Sequence, residues 1–161
     1  MPTTLCGFND GINGTGQHLL AFRGPTIIVN IGFDPHYPAA NGIPDLAAKD
    51  IHALVDTGAS ESCIDSGLAM HLNLPIVDQR RISGSGGAHD VNMHLAHIHI
   101  PGLATTISGA FAAVNLAAGG QSHLALIGRT FLMYFRMHYD GMTGTVSISN
   151  DPLPMNAKAT A

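Results

Sequence analysis

Charged side chains, cysteines and tryptophan are scarce or absent in this chain of 161 residues. Only seven residues are lysine or arginine, and they are scattered, so no basic surface for nucleic acid is expected. Two cysteines are too few for a disulfide framework, and the sequence leaves open whether Cys6 and Cys63 pair. We interpret Cys63 as a small core residue and expect Cys6, in a glycine-rich segment, to be exposed.

Long apolar runs are also missing. No stretch of about 18 apolar residues occurs, so no membrane span and no membrane partner are expected. The residues after Met1 contain neither a basic region nor an apolar core, so no secretory signal is visible. The compartment therefore stays unknown, with the cytoplasm as the default expectation, and no cofactor is predicted.

Glycine, proline and apolar residues are plentiful instead. With 19 glycines, 9 prolines and 45% apolar residues, the composition favours one domain with many strands and turns rather than long charged helices. We divide the chain into a loosely ordered arm (1–24), a folded domain (25–149) and a polar tail (150–161). The arm is expected to hold at most a short strand around residues 18–22. Short helices are predicted over residues 67–72 and 131–135.

The most informative stretch is an apolar run followed by small residues, Ala53-Leu54-Val55-Asp56-Thr57-Gly58-Ala59-Ser60. The run predicts a buried strand, and Gly58 lets the backbone turn where the strand ends. A carboxylate at the end of a buried strand, on a turn with little side-chain bulk, has a geometry that suits a reactive group. The alternative is an ordinary Asx turn that closes a strand.

Two later segments extend this pattern. About 25 residues on comes a glycine-rich hairpin tip, Ser83-Gly84-Ser85-Gly86-Gly87, and further on comes Leu126-Ile127-Gly128-Arg129-Thr130. In this order the three segments resemble the retropepsins, the single-domain aspartic proteases of retroviruses and their cellular and bacterial relatives. The resemblance covers roughly residues 25–149. It implies a closed β-barrel with a glycine-rich flap hairpin and one or two short helices.

The resemblance also implies roles for the turn after the strand. Asp56 is similar to the catalytic aspartate, and Thr57 to the residue whose hydroxyl braces the loop of the partner subunit. Gly58 resembles the position at which the backbone meets substrate. Ala59 and Ser60 complete the active-site loop.

Roles for the two later segments follow in the same way. Residues 83–87 resemble the flap tip that closes over bound peptide, although an ordinary mobile hairpin is the alternative. Gly128 and Arg129 resemble the pair before the C-terminal helix, where the arginine braces the active-site loop. A solvated arginine at a helix start is the alternative, but the helix dipole disfavours a cation there. Viral members carry an acidic residue at the position of Ser60, and Glu61 is a possible substitute as the partner of Arg129.

Peptide hydrolysis by carboxyl groups explains why one such aspartate points to a dimer. One carboxylate takes a proton from water while a second acid protonates the substrate, and two carboxyls held close together share one proton. The chain offers a single Asp-Thr-Gly, so a two-fold homodimer would supply the pair. We therefore predict a homodimeric aspartic endopeptidase acting on an extended peptide or protein, with apolar side chains preferred near the cut because Val55, Ile82 and Ile127 are apolar.

Two alternatives remain open on the sequence. A catalytically silent retropepsin-like module could serve for dimerisation or peptide binding. His94, His97 and His99 could form a zinc-like site through a bulge or together with His89. We favour these histidines as residues on the polar face of a strand beside the flap, and no metal is predicted. The other histidines are scattered and indicate no site: His18, His36, His52, His71, His123 and His138.

Overall fold

A computed structural model describes residues 2–38, 42–84 and 86–150 of the chain. The strands are β1 (Thr3–Leu5), β2 (Thr26–Gly32), β3 (Ala48–Val55), β4 (Cys63–Asp65), β5 (Ile76–Gly84), β6 (Gly87–Ile100), β7 (Thr105–Val114), β8 (Ala125–Ile127), β9 (Arg136–Asp140) and β10 (Thr145–Ser149). The helices are α1 (Gly16–Arg23), α2 (Ser66–His71) and α3 (Arg129–Leu132), with a 3-10 turn at Pro101–Leu103. No helix in the described ranges is long and apolar enough to cross a membrane.

The larger sheet has seven strands in the order β2-β3-β8-β4-β7-β6-β5. It closes on itself because β2 also pairs with β6, from Asn30 opposite His99 to Gly32 opposite His97. The strand β5 lies outside this ring and pairs with β6. The prediction of an all-β, closed-barrel fold with short helices is therefore confirmed.

Alternating apolar residues fill the barrel. On β2 the residues Ile27, Val29 and Ile31 are all buried, as the two-residue period of a strand requires when one face meets the core. Ile98 and Ile100 of β6 meet them in the same buried cluster. Removing this apolar surface from water is the main force that closes the ring.

The parallel pairing of β3 with β8 positions the residues that follow these two strands. Strand β3 runs parallel to β8, with Ala53 opposite Ala125 and Val55 opposite Ile127. The two strands therefore end side by side, and the residues that follow them, Asp56 and Gly128, come next to each other. The backbone N–H of Asp56 continues the ladder and donates to the carbonyl oxygen of Ile127 at 3.0 Å.

The first 24 residues are more ordered than the sequence predicted. The strand β1 pairs with β10, and β9 completes a second, three-stranded sheet in the order β1-β10-β9. The strand predicted around residues 18–22 is wrong, because the helix α1 occupies this segment. Thr15 caps α1 by accepting a hydrogen bond from the N–H of His18. The arm is therefore part of the fold.

The cysteines are both buried, free thiols. The expectation that Cys6 is exposed is wrong: its exposed fraction is 0%, and its N–H donates to the carbonyl oxygen of Val146 at 2.8 Å. Burial raises the pKa of each thiol to about 12. Cys63 is a core residue, as expected.

The glycine-rich hairpin is formed by β5 and β6, which pair from Ile76 opposite His94 to Gly84 opposite Gly87. Gly87 has a φ of +95°, a conformation that glycine adopts without steric cost. Ser85, at the tip, lies outside the described residues, as does the predicted tail beyond Asn150. The helix predicted over residues 67–72 is present as α2, whereas α3 begins two residues earlier and ends three residues earlier than the helix predicted over 131–135.

Candidate active site

The carboxylate of Asp56 is held by the turn that follows β3. Its Oδ1 accepts hydrogen bonds from the N–H of Gly58 at 2.8 Å and of Ala59 at 3.2 Å. The carbonyl oxygen of Asp56 also accepts from the N–H of Ala59 at 3.2 Å. Oδ2 has no hydrogen-bond partner among the described residues. One oxygen is therefore fixed by the backbone, and the other is available to a water or a second acid.

Arg129 joins the start of α3 to the same turn. Its Nη1 donates to the carbonyl oxygens of Thr57 at 2.8 Å and Gly58 at 2.9 Å, and its Nη2 donates to Ser60 Oγ at 2.9 Å. Its own N–H donates to the carbonyl oxygen of Ala59 at 3.0 Å. The guanidinium thus bonds to carbonyls and a hydroxyl, which compensate for its position at a helix start.

Glu61 is not the partner of Arg129. Its carboxylate lies 3.8 Å from Nη1 of Arg80 on β5, and both side chains are largely exposed. An exposed ion pair of this length contributes little to stability. The loop is therefore held through its backbone, and the suggested substitution of Glu61 for the viral acidic residue is wrong.

Gly128 sits where the chain has no room for a side chain. A Cβ at this position would lie 2.6 Å from both the carbonyl carbon and the carbonyl oxygen of Glu61. The N–H of Gly128 donates to Ser62 Oγ at 3.0 Å. Ser62 is buried, and the sequence analysis did not single it out, because one serine in a loop has no distinguishing pattern.

A cavity of about 600 Å³ opens beside Asp56. Its lining is mostly apolar and comes from three segments: Pro25, Leu54, Val55, Asp56, Thr57, Met137 and Tyr139. Of the three residues on which the expected apolar preference was based, Val55 lines this cavity, whereas Ile82 and the fully buried Ile127 do not. Leu54 and the two β9 residues add to the apolar wall, and no sequence pattern connects β9 with the turn.

The hairpin tip is not brought to this cavity. Ser83, Gly84, Gly86 and Gly87 are exposed, and none of them lines the space beside Asp56. Their role as a flap is neither supported nor opposed by these contacts and stays a prediction. The loop residues 57–60 and Arg129, in contrast, form one hydrogen-bonded unit with Asp56, and Gly128 bonds to the neighbouring Ser62.

The histidines of β6 have separate protein partners. His94 Nδ1 lies 2.9 Å from the Leu74 carbonyl oxygen, and His99 Nδ1 lies 2.9 Å from Thr106 Oγ1. His97 bonds Ser108 Oγ through Nδ1, at 2.8 Å. All three are buried, so the interpretation that they lie on the polar face of the strand is wrong. Within the described ranges no three histidine, cysteine or acidic residues are grouped to hold a metal ion.

Comparisons with protein-family models and with solved structures both found matches. A family model described as aspartyl protease matches residues 40–131. A solved structure, EIAV protease complexed with the inhibitor HBY-793, is 21% identical, covers 68% of this chain and 85% of its own, and gives a TM-score of 0.41. No curated protein matches. The family match spans more than half of the chain and contains the Asp56 turn and Arg129, so this chain belongs to the aspartyl protease family.

Proposed function

We propose that the protein is an aspartic endopeptidase that works as a homodimer, with Asp56 of each subunit in one shared site. The observation that carries the proposal is the fixation of Asp56 at the end of β3. One carboxylate oxygen accepts two backbone N–H groups, and Arg129 braces the same turn. Such fixation suits a catalytic carboxyl group, because that group must be positioned against water and a substrate carbonyl within a few tenths of an ångström.

The chemistry needs two carboxyl groups in different protonation states. The ionised carboxylate removes a proton from water, and the resulting oxygen attacks the peptide carbonyl carbon. The protonated carboxyl gives its proton to the carbonyl oxygen, which yields a neutral tetrahedral diol. The carboxyl group that took the proton from water then donates a proton to the nitrogen, while one diol hydroxyl returns its proton to the other carboxylate, and the C–N bond breaks to give an amine and a carboxylic acid. The pair ends with one shared proton, so the cycle can begin again.

The free edge of β9 supports a two-fold interface next to the site. Within the described residues β9 pairs only with β10, so its outer backbone groups are open to another strand. Met137 and Tyr139 of this strand line the Asp56 cavity, so a partner docked here would also reach that cavity. We place His138 on the two-fold axis, with β9 antiparallel to its copy.

This register pairs opposite charges. Antiparallel pairing centred on His138 sets Arg136 opposite the Asp140 of the second copy, and cross-strand pairs of opposite charge are favourable. Thr57, beside Asp56, would then face the partner's loop.

The substrate we propose is a peptide in extended form, lying over the apolar wall beside Asp56. Residues 83–87 would close over it as a flap. The test is digestion of extended peptides over a pH series, read by mass spectrometry. We expect Asp56→Asn to lower the rate by about 10²–10⁴-fold, the usual contribution of a general acid or base. The matched control is Asp78→Asn on the exposed strand β5, which should cleave normally.

Subunit mixing separates a shared site from a site within one chain. If wild type and Asp56→Asn exchange at random in equal amounts, about a quarter of the dimers keep both aspartates. Activity per wild-type chain should then fall to about half, and dilution should lower it further. Sedimentation would show that exchange and dimers occur. A cleavage rate that does not change when mutant is added would place the second acid in the same chain. Peptide binding without cleavage would favour the catalytically silent module.

A further inference from the structure

A second cavity, of about 560 Å³, lies beside α1 and the loop that precedes β8. Arg23, His52 and His123 line it, together with Phe8, Phe22 and loop residues 119–122. The two histidines are far apart in sequence and meet because β3 and β8 pair. The His52 carbonyl oxygen accepts a hydrogen bond from the N–H of Leu124 at 3.0 Å.

The lining contains one guanidinium group, that of Arg23, and no acidic residue. Arg23 forms no ion pair with any described residue, and its guanidinium carbon lies 6.0 Å from the centre of the Phe8 ring. Burial lowers the pKa of His123, and the neighbouring charges of His52 and Arg23 lower it further. Among the residues that line the pocket, Arg23 is the one permanent cation, and with no acidic residue beside it the pocket favours an anion.

His123 contains an unpaired group inside this wall. Its Nε2 lies 2.8 Å from Thr26 Oγ1, and that hydroxyl donates its hydrogen to the Gly24 carbonyl oxygen at 3.1 Å. The hydroxyl must then accept from Nε2–H. Nδ1 is left buried with no hydrogen-bond partner among the described residues, in a side chain that is only 3% exposed. In this tautomer Nδ1 is an acceptor and does not bind a carboxylate, so the group of the pocket that can bind one is the guanidinium of Arg23.

The pocket is aligned with the candidate active site along one strand. His52, Leu54 and Asp56 follow each other in steps of two, so they lie on one face of β3. Four residues of strand separate His52 from Asp56 by about 13 Å. The cavities adjoin, because Leu54 lines the one beside Asp56, and Thr26, its partner across the β2–β3 pair, lines the other.

We propose that this pocket binds an acidic side chain of the peptide substrate, three or four residues from the scissile bond. The proposal rests on the proposed endopeptidase function. An extended peptide covers about 13 Å in four residues, the distance from Asp56 to the pocket. The Arg23 guanidinium can bind a carboxylate through two parallel hydrogen bonds, and Phe22, which is 89% exposed, offers apolar surface to the side-chain stem.

The test compares peptides that differ only by Glu or Gln at the third or fourth position on either side of the cut. We expect the wild type to cleave the better Glu peptide about tenfold more efficiently, through KM, because the contact is made equally in the ground and transition states. Arg23→Gln should remove this preference, and Arg23→Lys should keep only part of it. The control Lys49→Gln removes a positive charge from an exposed site on β3, outside the pocket, and should keep the preference.

Three results would overturn the proposal: equal cleavage of Glu and Gln peptides by the wild type, a Glu preference that survives Arg23→Gln, or equal losses in Arg23→Gln and Lys49→Gln. A second measurement separates failure of the pocket from failure of the protease. Ring-proton NMR signals of His52 and His123 are followed in Asp56→Asn protein during titration with each peptide. Shifts with the Glu peptide alone, abolished by Arg23→Gln, support the pocket even if no peptide is cut, and their absence refutes it.

Discussion

The hydrogen bonds of Arg129 make a quantitative prediction about the loop that carries Asp56. Arg129→Ala removes donors to the Thr57 and Gly58 carbonyl oxygens and to Ser60 Oγ, at 2.8–2.9 Å. A hydrogen bond from a charged donor contributes about 1.5–3 kcal/mol when buried, but water can replace these exposed contacts. We therefore take about 1 kcal/mol for each, or about 2–3 kcal/mol in the free energy of unfolding.

Thermal and urea unfolding measure this loss directly. A decrease of about 2–3 kcal/mol corresponds to about 5–10 °C in Tm for a chain of this size. Arg129→Lys should recover only part, because an ammonium cannot reproduce the planar fork that spans two carbonyl groups. The control is Arg81→Ala, which breaks an exposed ion pair to Asp90 at 3.5 Å and should cost less than about 1 kcal/mol.

The reasoning also predicts that activity suffers more than stability. At a temperature where the Arg129→Ala protein is fully folded, kcat should still fall, because the turn that orients Asp56 is no longer braced. Equal unfolding of Arg129→Ala and Arg81→Ala would refute the assigned energy. A normal kcat in the folded mutant would mean that the brace does not position the carboxylate.

Three further predictions concern the flap, the interface and acid. Gly87→Val should lower kcat/KM, because valine is strained at a φ of +95°; unchanged kinetics in a peptide assay would leave the tip without a role. Arg136→Asp and Asp140→Arg should each raise the dimer dissociation constant, measured by sedimentation, by about tenfold, and the double exchange should restore it. A double exchange that does not restore the dimer would show that the β9 register is wrong. Burial lowers the pKa of His99 and His123 from 6.5, so the unfolded chain binds more protons than the folded chain in mild acid. The free energy of unfolding should therefore fall as the pH drops below about 6.5, and urea midpoints that do not change from pH 7.5 to 5.5 would contradict this.

Individual strands could be predicted from sequence because the pattern that identifies them is local, whereas the closed barrel was implied only by the resemblance to the retropepsins. Alternating apolar residues identify strands such as β2, and Asp-Thr-Gly after an apolar run marks the end of β3. The helix α1 escaped prediction because Gly16 and the polar residues after it show little apolar periodicity. Its stability comes from contacts instead, since Leu20 is buried in the core.

The predictions that failed concern residues whose surroundings depend on which strands become neighbours. His97 and His99 lie on one face of β6 and His94 lies on the other, and the structure buries all three. His52 and His123 showed no pattern because only the parallel pairing of β3 with β8 brings them to one cavity. Sequence patterns identify a strand and its faces, but which residues meet across strands is set by topology and register.

Within one chain, the position of Asp56 does not depend on a partner. Its turn is fixed by the N–H groups of Gly58 and Ala59, by the ladder to Ile127 and by Arg129, all from the same subunit. A second subunit would therefore contribute the second acid rather than the geometry of the first. It follows that a separated monomer keeps a formed but incomplete site. Activity lost on dilution should return on concentration at the rate of association, without a refolding step, and a slower return would show that the turn itself depends on the dimer.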